Sequence, residues 1–353
     1  MYLDLLKIFI PTTLAFLIAI FLTPFATNFF YKHKMWKKKA RTEDTSSPDF
    51  KSIHNEKKEK EISTPCVGGS IIWISVFVTV FIFYLLSVLL PNDLLIKLNF
   101  FSRSQTLLPL GIFLLGAILG LADDLLEING KSNITRSAAW YTKLKILIIT
   151  LISLVAGFWF YDKLGMESVH FPFLGDIYLG ILIIPLFILV ALATFSGGVI
   201  DGIDGLSGGV LASIFLGFTV MAFINNQIDL AALSAVITGT ILAFLWFNIP
   251  PARFYMGETG MMPLTLIIAV FAFMTNSIFI LPILAFALVI TSLSNIIQML
   301  SKKFRNGKRV FRVAPLHHHF EAIGWPSYKV TMRYWILSIV FTIIGIILFV
   351  VGK

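Results

Sequence analysis

Charge and cysteine are both scarce in this 353-residue chain, which is 13% charged and contains one cysteine. A soluble protein carries roughly a quarter charged residues, so the low figure excludes an ordinary globular surface. Length alone would otherwise suggest two or three soluble domains. A lone Cys66 excludes an intrachain disulfide and a cysteine zinc cage. The apolar runs lack period-two alternation, which argues against a membrane barrel. The first run has neither a basic n-region nor an Ala-x-Ala site, so no cleavable signal is expected. No internal repeat of the kind common in transporters is present.

What fills the chain is apolar residues, 57% of the total. They fall in runs that approach the length needed to cross a hydrocarbon core of about 30 Å. The expected fold is an all-α polytopic membrane protein, a single integral membrane domain over 1–353. Ten spans are predicted, at about 5–31, 67–90, 105–122, 144–161, 177–195, 207–224, 229–248, 260–275, 278–298 and 333–351. The net charge of +9 is sorted among the loops: 32–66 holds ten Lys or Arg and 299–333 holds eight. The odd-numbered loops together carry 23 of the 28 basic residues. The positive-inside rule then puts these loops in the cytoplasm and both termini outside. The charge itself reads as topological signalling and attraction to anionic lipid, with no nucleic-acid partner expected.

Every polar cluster able to do chemistry lies in one of the odd loops, which predicts an active-site cleft on the cytoplasmic face. The third loop opens with Asp123, Asp124 and Glu127. Adjacent carboxylates at a membrane edge need water, a partner or a cation such as Mg²⁺; a solvated helix cap is the plainer reading of such a pair. The fifth loop interleaves Asp201 and Asp204 with six glycines, among them Gly202. Glycine lets a backbone approach a ligand closely, although a flexible turn would have the same composition. In the seventh loop Asn248 precedes Phe254, Tyr255 and Glu258. Those two aromatics offer a stacking face for a planar base or, more commonly at a bilayer edge, an interfacial anchor. The ninth loop holds His317, His318 and His319, half of the six histidines. Three consecutive side chains on a helix diverge, so contacts to phosphate and to developing charge suit them better than one shared metal.

Taken together, these motifs resemble the phospho-N-acetylmuramoyl-pentapeptide transferase (MraY) family, within the polyprenyl-phosphate N-acetylhexosamine-1-phosphate transferases. The resemblance rests on STPCVGGS at 63–70, LADDLLE at 121–127, YTKLK at 141–145, DGIDGLSGG at 201–209, NIPPARFYMGETG at 248–260 and APLHHHFEAIGW at 314–325. It covers nearly the whole chain, in the family's order. It implies transfer of phospho-MurNAc-pentapeptide from UDP-MurNAc-pentapeptide to undecaprenyl phosphate, giving lipid I and UMP, with Mg²⁺, at the bacterial cytoplasmic (inner) membrane. By position it implies Asp123 and Asp124 as the catalytic pair, with Asp123 the base. Glu258, with Asp124, would be the metal site, and Lys143 and the three histidines would be further catalytic groups. Asn248, Asp201, Asp204, Gly202 and Phe254 or Tyr255 would bind the nucleotide. Membrane lipids and, in a homodimer, a second copy are further expected partners.

The chain also departs from the family pattern. Glu258 stands where the family has aspartate, Phe195 and Gly198 replace two asparagines, and Met261 replaces a serine. Two other readings therefore stand beside the first: a sibling transferase using UDP-GlcNAc, and a non-catalytic membrane transport or binding protein.

Overall fold

The computed structural model describes residues 2–38, 58–130 and 137–353. The basic positions 39–57, with Lys131 and Arg136, lie outside the described residues. Nine helices among the described residues are long and apolar enough to cross a membrane: Tyr2–Lys32, Ser70–Leu89, Leu107–Ile128, Thr142–Lys163, Gly180–Ile200, Leu206–Ile224, Ile228–Asn248, Gly257–Met274 and Ser327–Val351. The chain is a multi-pass, all-helical membrane protein. Leu206–Ile224, Ile228–Asn248 and Gly257–Met274 form its interior, with 72–83% of their apolar windows buried inside the protein. The corresponding share is 22% for Tyr2–Lys32 and 28% for Ser327–Val351, which present most of their surface to lipid.

Within the helices, serine and threonine hydroxyls bond back to the preceding turn, as Thr23 does to the Ala19 carbonyl (2.6 Å) and Thr265 to that of Met261 (2.7 Å). A hydroxyl that cannot reach water is satisfied in this way. Close helix packing relies on small residues, as is usual in membranes. A Cβ on Gly239 would lie 2.7 Å from the Thr12 carbonyl oxygen, and one on Gly116 would lie 2.7 Å from Pro263 Cα.

The predicted span 278–298 is instead divided. A short helix, Leu281–Leu284, is followed after Ala285 by a second, Phe286–Phe304. The second helix is amphipathic: Thr291, Ser294, Gln298 and Ser301 recur along one buried face, while Leu293, Ile297, Leu300 and Phe304 are exposed. The polar stripe binds the following loop. The Ser294 hydroxyl accepts the Leu316 N–H (2.9 Å), the Gln298 side chain takes both polar groups of Phe311 (3.1 and 2.8 Å), and the Ser301 hydroxyl donates to the Lys308 carbonyl (2.8 Å). A helix with this duty cannot be apolar on all sides, which is why it departs from a simple span.

The opposite end of the bundle carries a feature that the sequence pattern does not announce, a hairpin of Ser168–Phe171 paired antiparallel with Gly175–Tyr178. His170 ties it down, through Asp176 Oδ1 (2.8 Å) and the Gly352 carbonyl (2.9 Å). Those two bonds, the carbonyl first, push the imidazole above its ordinary value. Both described termini lie at this end: Lys7 pairs with Asp229 beside the 225–227 turn, and Lys353 Nζ reaches Asn225.

Candidate active site

The other end gathers the odd-numbered loops, and backbone bonds hold them together. Gly68 N–H donates to the Tyr255 carbonyl (2.9 Å), Gly69 N–H to that of Met256 (3.0 Å), and Tyr255 N–H to that of Pro65 (2.8 Å). The 63–70 segment is therefore laid along the 255–258 segment, and glycine makes this possible. Gly257 has φ +64, and a Cβ there would stand 1.9 Å from the Cys66 carbonyl oxygen.

Asp123 and Asp124 are adjacent in sequence and differ in their surroundings. Gly116, Gly120 and Asp124 recur every four residues, so they share one face of the Leu107–Ile128 helix. That face packs on Gly257–Met274, with Gly120 so close to the Glu258 carbonyl oxygen that a Cβ would lie 2.1 Å away. Asp124 is thereby delivered to the start of the partner helix. It is 1% exposed, and its carboxylate accepts the Glu258 N–H (3.2 Å), the Thr259 N–H (2.8 Å) and the Thr259 hydroxyl (2.6 Å). It satisfies donors that a helix start otherwise leaves open. Asp124, expected as a metal ligand and catalytic group, thus uses both oxygens to hold this helix start.

Asp123 lies about 100° further round the helix. Its Oδ2 accepts from Lys145 Nζ at 2.5 Å, and Lys145 also reaches Glu258 Oε1 at 3.4 Å. The lysine in the cluster is Lys145; the expected Lys143 is exposed. Two carboxylates thus converge on one ammonium group, a point that equally suits a hard divalent cation with oxygen ligands. Among the described residues no three His, Cys, Asp or Glu side chains close a metal site by themselves. A cation here would draw its other ligands from water and substrate phosphate, as Mg²⁺ habitually does.

The glycine-rich loop joins this cluster to the histidines. Asp201 accepts the Ser207 hydroxyl (2.8 Å) and, through Oδ2, the Gly257 N–H (3.2 Å), one residue from Glu258. Beside it, Gly202 faces the histidine helix Leu316–Ala322 so closely that a Cβ would lie 2.5 Å from His317 Nε2 and 2.7 Å from His318 Nε2. His317 and His318 are buried and turned to the loop together. The expected divergence holds for His319 alone, whose Nδ1 accepts the Arg312 N–H (3.2 Å). Burial first, and then the Arg312 charge, hold His319 below its ordinary value.

The remaining expected binding residues are also brought here, in supporting positions. Asn248 is buried and uses both ends of its amide, accepting the Gly205 N–H (2.9 Å) and donating to the Phe254 carbonyl (2.8 Å). Asp204 accepts the Ala252 N–H at 3.2 Å. Phe254, an expected stacking face, is 0% exposed and packed against Phe30, Phe244 and Phe247. It belongs to the core, and Tyr255 is the half-buried ring of the pair. Of the family departures, Gly198 and Met261 face each other, since a Cβ on Gly198 would lie 4.0 Å from Met261 Cβ.

Cys66 lies under the site, 1% exposed, and burial with the charge of Asp124 pushes its thiol up to about 12. A thiol that stays protonated and covered is inert. Native protein at pH 7.5 is expected to react with a maleimide at least about a hundredfold more slowly than free cysteine. Full labelling after denaturation in SDS, read by mass, is the control; rapid labelling of native protein would contradict the burial.

Comparison with known proteins finds relatives over most of the chain. A family model described as glycosyl transferase family 4 matches residues 106–276. The phospho-N-acetylmuramoyl-pentapeptide-transferase of Shouchella clausii is 34% identical, over 82% of this chain and 84% of its own length. The protein of the same name from Anoxybacillus flavithermus is 32% identical over 94% and 95% of the two chains. That from Chloroflexus aggregans is 29% identical over 97% and 89%. With similarity of this extent, the chain belongs to the phospho-N-acetylmuramoyl-pentapeptide transferase family.

Proposed function

We propose that this chain transfers phospho-MurNAc-pentapeptide from UDP-MurNAc-pentapeptide to undecaprenyl phosphate, releasing UMP and forming lipid I, on the cytoplasmic face of the bacterial inner membrane. One observation carries the reading: an unbroken line of contacts runs from Asp123, Lys145 and Glu258 through Gly257, Asp201 and Gly202 to His317 and His318. Carboxylates able to hold a cation and imidazoles able to meet phosphate oxygens thus share one end of a membrane bundle. A reaction between a soluble nucleotide and a lipid-borne phosphate requires such a place.

In the reaction an oxygen of the lipid phosphate attacks the sugar-bearing phosphorus of the nucleotide, and the bond from that phosphorus to the oxygen bridging it to UMP breaks. A phosphate monoester has a second pKa near 6, so at pH 7 only part of the acceptor keeps a proton. Asp123 is assigned to take that proton through Oδ1, while Lys145 fixes the carboxylate through Oδ2. Glu258, with Asp123 beside it, would hold Mg²⁺, which supplies charge neutralisation to the diphosphate. His317 and His318 meet the charge that grows on the transferring phosphoryl oxygens, the main demand of such chemistry. The loop from Asp201 to Gly205, with Tyr255, lines the uridine side, and Asn248 keeps that loop in place.

Purified protein given undecaprenyl phosphate, Mg²⁺ and UDP-MurNAc-pentapeptide is expected to release UMP and form a lipid product. Chelation of the cation should stop turnover, and Glu258→Gln should lower it at least about tenfold. UMP release from UDP-GlcNAc but not from the muramyl donor would move the chain to the sibling reaction. No UMP from either donor would defeat the enzyme reading.

A further inference from the structure

We infer that Glu321, steadied by Ser327, is a positioning residue that fixes His318 with its Nδ1 proton on the carboxylate and its Nε2 turned to the glycine-rich loop. The inference rests on the proposed place of His318 in the reaction and adds to it a residue outside the reacting groups.

His318 Nδ1 lies 2.7 Å from Glu321 Oε2, one helical turn on, and the other carboxylate oxygen accepts the Ser327 hydroxyl at 2.6 Å. His318 and Glu321 are covered, 3% and 9% exposed, and Ser327 is half-buried. An ionised carboxylate only accepts hydrogen bonds, so the imidazole must donate through Nδ1. Its second nitrogen is then the one presented to the loop, where Gly202 leaves no room even for a methyl group between them. A ring held on one side by a carboxylate and on the other by a loop backbone has a fixed plane, and a second proton on Nε2 makes it the donor that phosphate oxygens need. In metal and triad sites the same device sets what an imidazole can do.

The turn that brings Ser327 back is itself anchored. Gly324 adopts φ +98, and Trp325 stacks on Phe320 with centroids 4.7 Å apart while the Arg333 guanidinium covers it at 4.0 Å. Ser327 opens the Ser327–Val351 helix, so the carboxylate is held between the histidine helix and a membrane-spanning one. Glutamate is the residue type that reaches both partners at once, one with each oxygen.

The test is a double-mutant cycle on full-length protein in detergent, with the muramyl nucleotide and undecaprenyl phosphate as substrates. E321Q should lower kcat about 10- to 100-fold with KM for the nucleotide changed less than about twofold. On an H318N background, E321Q should cost less than about a further twofold. S327A, which removes one hydroxyl, should show the same pattern at about two- to fivefold, and it carries the test if E321Q folds poorly. Equal losses from E321Q, or from S327A in its place, on both backgrounds would overturn the relay while leaving His318 in the site. Wild-type turnover in H318N would remove His318 from the reaction, and the relay with it.

Discussion

Asp123→Asn is expected to lower turnover by about a thousandfold while its melting temperature stays within about 2 °C of wild type. Asp124→Ala is expected to lose stability first, by about 3 kcal/mol, visible as a fall of roughly 4 °C. The contrast follows from where the two carboxylates point. Asp123 meets only Lys145 among the described residues, at 15% side-chain exposure, so an amide can replace it without leaving a buried donor stranded. What it loses is charge: an amide neither accepts the acceptor's proton nor balances a cation beside Glu258. Asp124 removed to alanine strands two N–H groups and a hydroxyl in a site closed to water. Part of the activity of Asp124→Ala also goes, because the helix start that it holds carries Glu258. Steady-state UMP release and thermal melting in the same detergent separate the two. An Asp123→Asn variant keeping more than a tenth of wild-type turnover would end the assignment of Asp123 to the chemistry.

Gly257→Ala is expected to be a structural lesion at least as severe, at about 3 kcal/mol or above. An L-residue at φ +64 costs about 1 kcal/mol by itself. The added methyl group would then stand 1.9 Å from the Cys66 carbonyl oxygen and 2.5 Å from Asp124 Oδ2. Backbone cannot yield as a flexible side chain can, so the 63–70 segment must part from the 255–258 segment. Asp201 loses its hold on the Gly257 N–H in the same movement. Low yield of folded protein, or a melting temperature lowered by roughly 4 °C or more, is the expected observation. A variant that melts and turns over like wild type would show that this junction is not the framework of the site.

Much of the site is legible in the motifs, and particular residues show where that legibility ends. The loops that carry Asp123, Asp201, Glu258 and the histidines were all expected at one end, and the contacts from Gly257 to Gly202 bring them together. Lys143, implied by the resemblance, is exposed while Lys145 joins the cluster, because two lysines two residues apart on a helix face different ways and only the neighbouring helix decides which one is inside. Phe254 and Tyr255 posed the same choice, decided by the Phe30, Phe244 and Phe247 rings that enclose one of them. Glu321 had a local signal, since a carboxylate three residues after a histidine shares its helix face. The division of the 278–298 span had one as well, in the spacing of Thr291, Ser294, Gln298 and Ser301.

The membrane class, the all-helical fold and the chemical types at the site were determined by the sequence alone. Hydrophobic runs act through local length, and motifs carry their residue types wherever they are placed. Tertiary structure decided which of two adjacent aspartates holds a helix start and which meets Lys145, and which two of three histidines turn to the glycine-rich loop. Those outcomes depend on the rotation of one helix against another. Gly116, Gly120 and Asp124 contain the phase of that rotation, but the surface that receives them belongs to a helix more than a hundred residues further along the chain.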